Sequence, residues 1–162
     1  MSHIQTVHHR SVDLGLERVA LVADRLGLRP VPHIAITIAG TNGKGSSVAL
    51  LSQTLIHAGF RTGSYTSPHL VDFRERIQVD NAMIPEDALC RAFNEIDSAR
   101  EEVTLTYFEF STLAALWWFR TQQVEVAVLE TGMGGRLDAV NVIDADVALI
   151  TNIDLDHAEW LG

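Results

Sequence analysis

Cysteine is almost missing from this chain: Cys90 is the only one in 162 residues. No intramolecular disulfide can form and no cysteine-based zinc cluster can be built, which suits a reducing cytosol. Basic residues are scarce as well. Twelve Lys and Arg stand against 21 Asp and Glu, a net charge of -9. That excludes nucleic acid or an anionic membrane surface as the main partner, because both demand a cationic field. Any anionic ligand must therefore be held by local cations and backbone amides. No stretch approaches roughly 18 uninterrupted apolar residues, and Met1 to Arg10 has no apolar core, so neither a membrane span nor a secretory signal is expected. His3, His8 and His9 are too irregularly spaced for a metal site and are assigned to an N-terminal arm.

What is present is enough for one soluble domain. Hydrophobic residues make up 47% of the chain, and at this length folding buries roughly two-thirds of the unfolded surface. Leu16, Val19, Ala20, Ala23 and Leu26 recur at helical spacing before Gly27, predicting a helix over 14–26. Ile34 to Ala39 is short, rich in β-branched residues and without polar alternation, so it reads as a parallel strand buried on both faces. A glycine-rich segment then leads into a helix over 46–58, closed by Gly59. Short strands are expected near 61–66, 76–79, 124–129 and 146–151, with a helix opening at Pro85 and another, apolar nearly all round, over 112–119. The order predicts an α/β fold, a mostly parallel sheet with helices on both faces. Ligands of such sheets gather beyond the carboxyl ends of the strands.

The unusual residues fall at those ends. Gly40-Thr41-Asn42-Gly43-Lys44-Gly45-Ser46 lies between a strand and a helix N-terminus, where amide groups and the helix dipole form an anion pocket. Lys44 suits terminal phosphates, and Ser46 offers a hydroxyl for magnesium. The standard phosphate-loop pattern is not met, because Gly45 separates Lys44 from Ser46 and Ile38 stands where the first glycine belongs. A plain glycine-rich turn with an exposed lysine is the other reading. Ser67-Pro68-His69 follows the next strand, as an ordinary turn or a polar edge. Glu130 ends a buried strand, where a carboxylate can bind magnesium or orient water. Beyond it, Gly132, Gly134 and Gly135 admit close backbone approach, and Arg136 can neutralise phosphate or simply pair with Asp138. His157 follows Asp154 and Asp156 at the last strand's end, as a ligand or as a structural histidine.

Together, Asp13 to Val19, the 40–46 loop, Thr66 to Leu70, Thr106 to Glu109, Glu130 to Asn141 and Asp156-His157 resemble the folylpolyglutamate synthase/dihydrofolate synthase family of the Mur ligase superfamily. The resemblance runs from Val12 onward, and the Lys44-Gly45-Ser46 spacing is that family's own. It implies a P-loop NTPase-like ligase domain using ATP and Mg2+ to join L-glutamate to dihydropteroate and to folates through an acyl phosphate. In the family's roles Thr41, Asn42, Gly43, Lys44, Gly45 and Ser46 hold ATP. Ser67, Glu130 and His157 bind magnesium, with Ser46 as a further metal ligand, and Lys44, Glu130 and His157 form the catalytic set. Val12, Asp13, Leu14, Thr106, Tyr107, Phe108, Glu109, Leu137, Asp138 and Ala139 match the pterin-binding segments. Tyr107 and Phe108 can stack on a flat ring or serve as core aromatics.

The chain departs from the family at Val140, where Thr is usual, and in its short N-terminal segment. Family members also continue well past the position of Gly162. The resemblance therefore implies that residues 1–162 are the N-terminal part of the ATP-binding domain, incomplete, without the C-terminal glutamate-ligase domain. The expected consequences are an inactive fragment that self-associates and a monomeric parent. Two alternatives are a nucleotide- or pterin-binding fragment without catalysis and a small-molecule phosphotransferase. The latter predicts a standard phosphate loop and an arginine-rich lid, and the chain has neither.

Overall fold

The computed structural model describes residues 14–154. Helix α1 (Glu17–Arg25) precedes strand β1 (Ile34–Ala39), helix α2 (Lys44–His57) and strand β2 (Thr62–Tyr65). A 3-10 turn (Phe73–Arg76) leads to strands β3 (Ile77–Val79) and β4 (Ala82–Met83). Helices α3 (Glu86–Arg100) and α4 (Tyr107–Thr121) are followed by β5 (Val126–Glu130), a second 3-10 turn (Ala139–Val142) and β6 (Val147–Ile150). The strands form one sheet in the order β4-β3-β2-β5-β1-β6. β2, β5, β1 and β6 are parallel, while β3 and β4 add an antiparallel edge. The expected α/β fold with helices on both faces is thus present.

The two faces are divided by strand alternation. Ala35, Tyr65, Ala127 and Leu129 face the larger core, built with α1, α3 and α4. Ile38 and Val128 face the other way, onto Val48, Leu51 and Leu55 of α2. α4 is longer than the predicted 112–119 and is buried without interruption from Glu109 to Phe119. Its start is set by a capping box: the Thr106 hydroxyl accepts from Glu109 N, and the Glu109 carboxylate accepts from Thr106 N at 2.7 Å. A Cβ at Gly63 would lie 2.7 Å from the Phe119 ring, so a glycine in β2 lets α4 seat directly on the sheet.

One expectation needs correction. β1 is not buried throughout: Ile34 is 50% exposed, because at its start the strand outruns its neighbour β6, whose register begins at Ile36. Among the described residues nothing covers the apolar run of β6. It is the sheet's edge strand, with Val147 53% and Ile150 60% exposed. The apolar α4 is covered by the sheet and α3. An unpaired parallel edge carrying Val147, Leu149 and Ile150 is a template for association. We therefore expect the 162-residue chain to self-associate with rising concentration, and Val147→Lys to restore a monomer in light scattering. A clean monomer of the unsubstituted chain at high concentration contradicts this.

Candidate active site

The carboxyl ends of β1, β2, β5 and β6 lie at one edge of the sheet, since Ile38 pairs with Glu130, Tyr65 with Leu129 and Ala39 with Ile150. The segments 40–46, 66–69, 131–138 and 151–154 therefore converge there. In the glycine-rich loop, Gly43 caps α2 with φ +82°, a left-handed conformation suited to glycine. Gly40, at φ +133°, has no room for a side chain, because a Cβ would lie 2.8 Å from Asn152 O.

Residues 151–154 pin this loop. Thr41 N donates to Asn152 O at 2.9 Å and Asn42 N to Asn152 Oδ1 at 2.8 Å. Thr151 Oγ1 donates to Asn42 O at 2.7 Å, and Asp154 N donates to Thr41 Oγ1 at 2.9 Å. The amides of Thr41 and Asn42 are thus already engaged. Among the described residues, the amides of Gly43, Lys44, Gly45 and Ser46 have no acceptor, so the free amides of the loop begin two residues after Thr41. The Lys44 ammonium lies over the loop, donating to Gly40 O at 2.8 Å and Thr41 O at 3.3 Å. Ser46 is exposed on the first turn of α2.

Glu130 is buried at the tip of β5, where one carboxylate oxygen accepts from Ser67 N at 3.2 Å. A Cβ at Gly45 would be 3.7 Å from the same carboxylate, so phosphate loop, Ser67 and Glu130 meet at one point. Burial pushes Glu130 above the usual carboxylate range, and the Ser67 amide, Lys44 and Arg76 only partly oppose it. Glu130 and Ser67 line one cavity, and a carboxylate and a hydroxyl are the hard-oxygen donors that fit magnesium, which takes one or two carboxylates and completes its shell with water and phosphate. Among the described residues no three His, Cys, Asp or Glu gather at one point. His157, Val12 and Asp13 lie outside the described residues.

Beside this point opens a mostly apolar cavity of about 350 Å³ whose walls include Leu14, Tyr107, Phe108 and Leu137. Phe108 packs on Gly132, where a Cβ would come within 2.6 Å of its ring, and stands 5.8 Å from the Tyr65 ring. Thr106, Glu109 and Ala139 also line it. The Glu109 carboxylate, however, is committed to the helix cap and to Arg18 at 3.2 Å. Arg136 is exposed and lines neither this cavity nor the one above the loop.

Asp138 is buried, so the alternative of a solvated pair with Arg136 does not occur. It knits the glycine loop instead: one carboxylate oxygen accepts from Gly132 N and Met133 N at 2.9 Å, the other from Val140 N at 3.0 Å. Burial raises Asp138 from 3.8 to about 6, against the pull of those three amides. Between these values the folded protein binds more protons than the unfolded chain, so stability falls as pH rises from 3.8 to about 6 and then levels. The amplitude is about 3 kcal/mol. Asp72 and Glu75 are held low by Arg74 and by backbone amides respectively, and act oppositely at more acid pH. Denaturant unfolding at pH 4.5 and 7 should show about 2 kcal/mol of that loss in the unsubstituted chain and much less in Asp138→Asn. Equal slopes would contradict the assignment.

Sequence reasoning missed one side chain at this edge, Arg76. Arg76 was read only as the start of a strand, whereas it closes the 3-10 turn. Its guanidinium lies 5.5 Å from the Tyr107 ring centroid and 5.7 Å from that of Phe73, and its Nε donates to His69 Nδ1 at 2.8 Å.

A family profile, that of the Mur ligase middle domain, matches residues 38–162. The chain belongs to the Mur ligase family. Within it, the chain is 52% identical over its full length to the dihydrofolate synthase/folylpolyglutamate synthase of Escherichia coli, spanning 38% of that protein. The structure of Escherichia coli FolC in complex with DHPP and ADP superposes with a TM-score of 0.96, covering 99% of this chain and 39% of that one at 52% identity. A Yersinia pestis folylpolyglutamate synthase/dihydrofolate synthase complexed with AMPPNP and Mn ion gives a TM-score of 0.91 at 46% identity, covering 99% and 39% respectively. This Mur ligase chain thus spans less than two-fifths of the length of these relatives. No helix among its described residues is long and apolar enough to cross a membrane.

Proposed function

We propose that the chain forms the nucleotide- and pterin-binding part of an ATP-dependent ligase that joins L-glutamate to dihydropteroate and to folates, in a reducing cytosol. One observation carries the reading. Gly132 and Met133 line both the apolar cavity and the cavity of about 290 Å³ above the phosphate loop. A flat ring seated against Phe108 therefore presents its far end to a nucleotide terminus held by Gly43 to Ser46. The relatives' bound DHPP, ADP, AMPPNP and Mn support the same occupancy.

A carboxylate is a poor electrophile for an amine. In the proposed reaction its oxygen attacks the γ-phosphorus of ATP, ADP leaves, and the acyl phosphate is then opened by the glutamate amine, which loses a proton as phosphate departs. Ser67, Glu130, His157 and Ser46 would hold Mg2+, which when bound neutralises charge on the phosphates. The chain's own part is positioning and charge: amides 43–46 and Lys44 hold the transferring phosphoryl group, and the cavity aligns the carboxylate with it. The chain spans less than two-fifths of these relatives' length, and we assign the glutamate site to the part of them it does not span, so the 162 residues alone should bind but not ligate. Calorimetry tests this directly. Dihydropteroate and ATP with magnesium should each bind the chain with one-to-one stoichiometry. ATP binding without any dihydropteroate binding would favour a phosphotransferase and overturn the ligase reading.

A further inference from the structure

Six arginines pair with described carboxylates: Arg18, Arg25, Arg29, Arg74, Arg91 and Arg100. Arg76 differs. It is only 7% exposed, yet no carboxylate lies within ion-pair distance among the described residues. Glu130 is near enough to feel the Arg76 charge but is not within ion-pair distance, and the acids of the turn are committed elsewhere. Asp72 holds Arg74, and Glu75 accepts from the amides of Leu70, Val71 and Asp72. A buried cation with no ion-paired anion is costly, and stacking on Phe73 and Tyr107 with the more distant Glu130 offsets only part of that cost. With Nε spent on His69, the two Nη groups remain. Among the described residues they have no hydrogen-bond partner, and they are not sealed from solvent. Arg76 is the only cation among the described residues lining the apolar cavity, whose wall it shares with Ser67.

We infer that Arg76 holds the carboxylate of the pterin substrate: the Nη edge of its guanidinium receives the two carboxylate oxygens and keeps them at the Ser67 end of the cavity, where the phosphoryl group arrives. The inference rests on the pterin reading of the cavity. A planar fork fixed by two rings and a histidine is preorganised for bidentate binding of a carboxylate, and the apolar walls strengthen the attraction. The arrangement selects aromatic acids over neutral aromatics of the same shape.

The test compares dihydropteroate with its decarboxylated analogue, the same pterin and aniline rings without the acid, by calorimetry on the 162-residue chain. The unsubstituted chain should bind the acid at least tenfold more tightly than the analogue. Arg76→Gln should bind both with the analogue's affinity, and Arg76→Lys should keep part of the preference. A tenfold preference surviving in Arg76→Gln overturns the inference. Should Arg76→Gln lose its helical circular dichroism, the unsubstituted chain still decides, because equal affinity for the two compounds overturns the inference without any variant. Failure of both compounds to bind the unsubstituted chain would instead remove the pterin reading itself.

Discussion

Replacing Lys44 by alanine is expected to lower ligation at least a hundredfold in a hybrid that joins residues 1–162 to the C-terminal portion of the Escherichia coli relative. Removing a preorganised charge from a developing phosphoryl transition state costs on the order of 3 kcal/mol. The loss should fall on turnover, because the Gly43 to Ser46 amides remain to bind phosphate. Folding should not suffer. Lys44 makes only two hydrogen bonds, both to the loop it arches over, and it packs in neither hydrophobic cluster. Near-normal turnover in Lys44→Ala would remove the phosphate-loop assignment, whereas a collapsed melting transition would show that the lysine is structural.

The second large effect is at Glu130. Glu130→Gln in the same hybrid should lose at least about a hundredfold in activity, and more magnesium should be needed for half-maximal rate. Its stability at neutral pH should be equal or higher. The carboxylate is buried and pushed above its usual range by desolvation, so the folded state carries a cost that the neutral amide avoids, while the amide oxygen can still accept from Ser67 N. A functional group retained at the expense of stability behaves this way. A variant that melts early but keeps its turnover would make Glu130 a structural residue.

Much of this site was legible from sequence because it lies at strand ends. Ile34 to Ala39 and Val126 to Glu130 are recognisable strands, so Gly40 to Ser46 and Glu130 had to share an edge. Helical apolar spacing exposed α3 in the same way. The arrangement around Arg76 was not legible, since it depends on the Asp72-capped turn and on β3 pairing backwards onto β2, neither of which leaves a periodic signal. The diversion of the Thr41 and Asn42 amides to Asn152 was hidden for a related reason: it joins segments 110 positions apart. Glu109 shows the reverse case. Its place in a matching segment suggested ligand contact, but its spacing from Thr106 is that of a capping box, and the carboxylate serves the helix.

The most direct measurement of the central claim is ADP release by the hybrid. If residues 1–162 supply the nucleotide and pterin sites of a folate ligase, ADP should form only when ATP, magnesium, dihydropteroate and L-glutamate are all present, one ADP per glutamate joined. Residues 1–162 alone should release none. ADP formation by the hybrid that does not depend on dihydropteroate, or a folded hybrid that binds ATP and never couples glutamate, would contradict the account.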